Sequence, residues 1–160
     1  MILVTVGMQL GFDRLIRAMD ALAPTLGMRV VAQIGAGTYK PENMEAHNRI
    51  AAADFEELVR QSQLIISHAG IGAVLTAQRF GKPVVLVPRR ADLGEHRNDH
   101  QIATVSKLAN RAGVLVAMDE TQLASRIDDG LAMKSFPVTP SESARQLHAA
   151  VTKFIETGQL

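Results

Sequence analysis

The chain has 160 residues, of which 47% are apolar and 21% charged, and its 17 Lys and Arg against 16 Asp and Glu leave a formal net charge of +1. That length suits one domain with its own core, and the balanced charge argues against a nucleic-acid-binding surface. With no Cys, disulfides, thiolate metal sites and a Cys nucleophile are excluded and a reducing compartment fits; no signal peptide is expected, nor any run of roughly 18 apolar residues that would span a membrane.

Residues 2–6 are an apolar, β-branched run that stops at Gly7, the pattern of a buried strand. Residues 12–22 set Phe12, Leu15, Ile16, Met19 and Leu22 on one helical face, with Pro24 and Gly27 marking its end. A second strand is predicted over 29–34, closed by Gly35 and Gly37. Residues 38–48 are polar, contain Pro41 and read as loop. A short third strand is expected at 50–52. Asp54 is the expected N-cap of a helix reaching Gln61, with Glu56 and Glu57 in its first turn.

A fourth strand follows at 64–67, then a helix at 71–80 ended by Gly81 and Pro83. The fifth strand, 84–87, stops at Pro88. A charged loop (89–97) leads to a helix at 98–111, stopped by Gly113. The sixth strand is 114–117, and Asp119 is expected to cap a helix through 133. Residues 135–140 read as a connector and 141–156 as a closing helix. Alternating strand and helix patterns with short connections predict a parallel sheet of about six strands, helices on both faces and right-handed crossovers. Ligands of such sheets bind beyond the carboxyl ends of the strands, near the topological switch point. That directs attention to 7–11, 67–72 and 88–101.

Ser67-His68-Ala69-Gly70-Ile71-Gly72 joins a strand to a helix. Its glycines allow close backbone approach, and the open N–H groups at a helix start hold anions. A tight turn whose glycines serve only packing explains the same residues. Thr5-Val6-Gly7-Met8-Gln9-Leu10-Gly11 is a second strand-to-helix turn. It lacks the G-x-G-x-x-G of dinucleotide sites, and no acidic residue ends the second strand; both count against NAD. The stretch 89–101 packs three Arg, two His, three acids, an Asn and a Gln into thirteen residues. Over a strand end such a set can neutralise a diphosphate and hydrogen-bond sugar hydroxyls; a solvated, self-paired loop is the alternative. His96 and His100 have the i, i+4 spacing of metal ligands, but without the Glu of HExxH and among arginines, so no metal is expected. His47 and His148 read as surface residues.

In combination, Ser-His-Ala-Gly-Ile-Gly (67–72), Gly-Lys-Pro (81–83), Asn-Asp-His-Gln (98–101) and Arg-Ala-Gly (111–113) resemble the C-terminal domain of glycosyltransferase family 28. Val-Thr-Val-Gly-Met-Gln (4–9) and the stretch 88–97 resemble the small subunits of two-part bacterial exopolysaccharide glycosyltransferases, similar to the small subunit of the dolichol-linked N-acetylglucosaminyltransferase. The likeness covers residues 1 to about 118.

It implies a Rossmann-like three-layer domain, one half of a GT-B fold, occupying 1–160 as a single donor-binding unit. It also implies inverting, metal-independent transfer from a UDP-sugar to a lipid-linked saccharide acceptor, with no cofactor. By this likeness His68 and Arg89 are the catalytic candidates. Gly7, Gln9, His68, Gly70 and Gly72 face the donor diphosphate. Asn98, His100 and Gln101 approach the sugar, and Ala52, Ala53 and Thr76 lie at the uracil and ribose. Many relatives carry Glu at the position of Thr76, so either another residue reaches the ribose here or nucleotide affinity is weaker. Because the chain opens on the donor domain's first strand, a membrane-associated partner subunit is expected to hold the acceptor, placing the chain in the cytoplasm at the inner face of the membrane. A non-catalytic nucleotide-sugar or docking module is the other reading.

Overall fold

The computed structural model describes residues 1–133. Six strands form one fully parallel sheet: β1 (Ile2–Thr5), β2 (Val30–Gln33), β3 (Glu45–His47), β4 (Leu64–His68), β5 (Val84–Val87) and β6 (Val114–Val116). Their order is β3-β2-β1-β4-β5-β6. The chain winds outward in one direction from β1 and in the other from β4, so the switch point lies between these two strands.

Among the described residues, five helices cover the sheet: α1 (Asp13–Leu22), α2 (Ala52–Gln61), α3 (Ile71–Arg79), α4 (His100–Leu108) and α5 (Leu123–Ala132). Side chains alternate across a strand, so β1 sends Ile2 and Val4 to one face and Leu3 to the other. The first face packs with Leu15, Ile16 and Met19 of α1 and Leu123 and Ile127 of α5. The second packs with Val59 of α2, Val74 and Ala77 of α3, and Val105 and Leu108 of α4. Strands buried on both sides need the near-continuous apolar runs that made β1, β4 and β5 legible. Each such Leu, Ile or Val contributes roughly 1.5–3 kcal/mol by leaving water.

Several boundaries differ from expectation. The third strand is not at 50–52 but at Glu45–His47, inside the stretch read as loop. It is a sheet edge, pairing Val31 with Glu45 and Gln33 with His47. A half-exposed edge strand needs no apolar run. Ala51, in extended conformation, is the N-cap of α2, and Ala52 is already helical; Asp54 sits in the first turn instead of at the cap. Helix α4 starts two residues late because Asp99 turns its carboxylate back to the Ala91 N–H (2.9 Å). Asp119 does cap, accepting from the N–H groups of Thr121 and Gln122, but the turn it caps is a 3-10 turn (Glu120–Gln122) leading into α5. The expected connector at 135–140 and closing helix at 141–156 lie outside the described residues.

Candidate donor cleft

The carboxyl ends of β1, β4 and β5 open into a cavity of about 520 Å³, lined among others by Gly7, Gln9, His68, Gly70, Arg89, His96, His100 and Gln101. Its position follows from the topology, because loops diverge at a switch point. The two central strands are pinned there: Thr5 pairs with Ser67, whose hydroxyl donates to the Thr5 carbonyl at 2.9 Å.

His68 ends β4, and its ring lies in a slot between two glycines. A Cβ on Gly7 would stand 3.1 Å from His68 Cε1; one on Gly70 would strike Nε2 and stand 3.0 Å from Cε1. Gly7 also needs its freedom for φ 81°. Burial, then the Arg89 charge, holds the His68 imidazolium back, lowering its pKa to about 4. The ring is therefore neutral at pH 7, and Nδ1 lies 3.3 Å from Ser67 Oγ. Directly after it, α3 starts at Ile71 with Gly70 as N-cap and no side-chain cap. Its first N–H groups stay open to an anion at the positive end of the helix dipole.

Arg89 is 4% exposed. Its Nη2 donates to the carbonyls of Val6 (2.8 Å), Leu10 (2.9 Å) and Gly11 (3.3 Å), gripping the whole first loop. Its backbone N–H donates to Gln101 Oε1 at 3.0 Å, which also fixes Gln101 at the cleft wall. Arg89 thus holds loops together, and its charge reaches the cleft through space. Among the described residues, Arg89 Nε and His96 Nδ1 are buried without a hydrogen-bond partner. His96 and His100 meet edge to face, with ring centroids 4.3 Å apart. Among the described residues, no carboxylate lines this cavity: its ionisable groups there are Arg89, His68, His96 and His100. The field there favours an anionic ligand.

A neighbouring cavity of about 250 Å³ lies on the other side of His68, lined by Thr5, Met8, Phe55, Gly72 and Thr76 among others. Structure therefore gathers Gly7, Gln9, His68, Gly70, Arg89, His100 and Gln101 at one cleft and brings Gly72 and Thr76 beside it. Asn98 stands outside the lining, exposed, with Oδ1 against the backbone N–H and Nδ1 of His100. Ala52 and Ala53 are exposed at the start of α2; Ala51 and Ile50 beside them line a separate cavity of about 370 Å³. Among the described residues, no three His, Cys, Asp or Glu side chains converge as metal ligands. No helix there is long and apolar enough to cross a membrane. Sequence reading missed Phe55, Met8 and Arg14. Arg14 pairs with Glu95 from 81 positions away, a separation that leaves no local signal.

The family described as glycosyltransferase family 28 C-terminal domain matches residues 1–156. The chain belongs to this family. It is 36% identical over 101 residues to the UDP-N-acetylglucosamine transferase subunit ALG13 of Cryptococcus neoformans, covering 59% of this chain and 48% of that protein. To human ALG13 it is 31% identical over 118 residues, 67% of this chain and 10% of the relative. The chain thus spans about half the length of the fungal relative and a tenth of the human one. Solved structures share the fold at low identity. The glycosyltransferase SnogD from Streptomyces nogalater matches with TM-score 0.53 and 19% identity, covering 99% of this chain and 38% of that one. The glycosyltransferase VinC matches with TM-score 0.59 and 19% identity, covering 97% and 40%. This family 28 chain has the sheet and layers of one half of a GT-B fold.

Proposed function

We propose that this family 28 chain is the donor-binding subunit of a glycosyltransferase that moves a sugar from a UDP-sugar to a lipid-linked saccharide acceptor. The observation that carries the reading is the acid-free cleft at the switch point, where an uncapped helix start and a glycine-slotted His68 face the same space. In the proposed reaction, the acceptor hydroxyl attacks the anomeric carbon, inverting it, and the bond from that carbon to the β-phosphate oxygen breaks. Charge grows on the departing UDP. The α3 N–H groups and the Arg89 field stabilise it, and His68 gains affinity for a proton as that charge approaches. Fixed positive groups of the chain take the role that a divalent cation fills elsewhere, hence metal-independent transfer. A membrane-associated subunit holds the acceptor and supplies the base that takes its proton. This reading puts the chain at the cytoplasmic face of a membrane, in polysaccharide biosynthesis. Gln101 and His100 are the proposed sugar contacts, and Thr76 lies on the proposed nucleoside side.

Calorimetry with UDP, ADP, GDP and NAD on the wild type and His68→Ala tests the site. Selective UDP binding, weakened about tenfold in His68→Ala (~1.4 kcal/mol), is expected. Preference for ADP or NAD would refute the donor reading. Once a partner is supplied, transfer that survives chelator and falls on substituting His68 or Gln101 is expected; undiminished transfer in those variants points to a docking module.

A further inference from the structure

The loop 90–98 carries His96 over the cleft and delivers the chain to His100 and Gln101. Most of its hydrogen bonds stay within the loop or reach only its own end. Arg90 pairs with Asp92, the Ala91 N–H with Asp99, and the Gly94 and Glu95 N–H groups with the carbonyls of Ala91 and Arg90. Among the described residues, the one hydrogen-bonded tie from this loop to a distant element is Glu95 to Arg14 on the first turn of α1. The tie is a fork. Arg14 Nε donates to Glu95 Oε1 at 2.7 Å and Nη2 to Oε2 at 2.9 Å. The remaining donors bind Glu120 (2.8 Å) and the Pro88 carbonyl (3.0 Å). Glu95 Oε2 also accepts from the Arg90 N–H at 2.9 Å. The two side chains are only 15% and 12% exposed, so water competes weakly, and a planar guanidinium fixes distance and angle together. The Phe12 ring lies 5.2 Å from the Arg14 guanidinium carbon and 5.1 Å from that of Arg89, so the fork rests on the same support as the grip on the first loop.

We propose that Arg14 and Glu95 are positioning residues that set the loop 90–98, and through it His96 and His100, against the sugar of the bound donor. The inference rests on the cleft being a sugar-nucleotide site. Neither residue touches the ligand. They act by holding the loop at one height above a floor that Arg89 ties to the first loop through three of that loop's carbonyls. Loss of the fork therefore loosens the grip on the sugar and spares the diphosphate.

The test is calorimetry on the full chain with two probes, UDP and UDP-N-acetylglucosamine, for the wild type, Arg14→Gln, Glu95→Gln and the double variant. Amide hydrogen exchange across 90–98 accompanies it. Expected is at least fivefold weaker binding of the sugar nucleotide in each single variant, with UDP changed less than twofold and faster exchange confined to 90–98. The double variant loses no more than the worse single one, since both changes break one fork. Equal weakening of both probes, losses that multiply, or no loss in any variant would overturn the proposal. Glu95→Gln keeps the side chain's shape and covers the case in which Arg14→Gln does not fold. A wild type that binds neither probe would instead refute the donor-site reading, and this inference with it.

Discussion

Lowering the pH isolates the slot around His68. Its pKa falls from an ordinary 6.5 to about 4 in the folded protein, chiefly through burial and next through Arg89. The unfolded chain therefore takes up the proton first. Stability is unaffected above 6.5, declines as pH drops from 6.5 to 4, and levels off below 4. A shift of this size corresponds to about 3 kcal/mol at full effect, and the partial exposure of the ring reduces it to about 2 kcal/mol. Urea unfolding of wild type and His68→Asn at pH 7 and pH 4.5 reads this directly. Buried carboxylates such as Asp20 titrate in both proteins and cancel in the difference. The wild type is expected to lose about 2 kcal/mol more than the variant, about 1 M in urea midpoint. An equal loss in both proteins would refute the burial argument. The same linkage predicts proton uptake when a diphosphate enters, seen as binding heat that varies with the buffer's ionisation enthalpy near pH 5–6.

Gly70→Ala drives a methyl group into His68, which Gly7 blocks on the other side; a stability loss of about 1–3 kcal/mol is expected, along with weaker UDP binding. His68→Ala/Gly70→Ala should recover the stability and not the binding, as chemical denaturation and calorimetry will show. Thr76→Glu, which places a carboxylate beside the 250 Å³ cavity within reach of ribose hydroxyls of a donor bound there, is expected to tighten UDP about tenfold (~1.4 kcal/mol) in a binding titration. Asp20 is 3% exposed and accepts from Tyr39 Oη (2.7 Å) and the N–H groups of Glu42 (3.0 Å) and Asn43 (2.7 Å). Asp20→Asn puts a donor among donors, and a loss of about 2–3 kcal/mol, roughly 6 °C in Tm, is expected by thermal unfolding.

The sheet was legible where burial imposes a pattern. β1, β4 and β5 are apolar on both faces, so their residues announce them. β3 is Glu-Ala-His at an edge, and backbone pairing with β2 alone defines it. At the cleft, Gly7 and Gly70 stood out because glycines permit close approach. The structure adds what spacing does not show: the approaching group is the protein's own imidazole. Arg89 read as a cation aimed at the leaving group; its burial against three carbonyls depends on contacts some eighty positions away. Arg14 was invisible for the same reason. Residue type suggested which groups face an anion, and only the fold separated those that meet the cleft from those that build its walls.

That the loop 90–98 has, among the described residues, a single hydrogen-bonded tie to a distant element bears on how it can be varied. The floor of the proposed donor site is one piece, tied to the first loop by Arg89, so a ligand entering it would not have to order it. The loop hangs from its two ends and one fork. Insertions, deletions and new side chains between Asp92 and Gly94 leave both supports in place. If the cleft holds a sugar nucleotide as proposed, libraries confined to 91–93 and 96–98, sparing Gly94 with its φ of 69°, are the economical route to a changed sugar preference without rebuilding the floor.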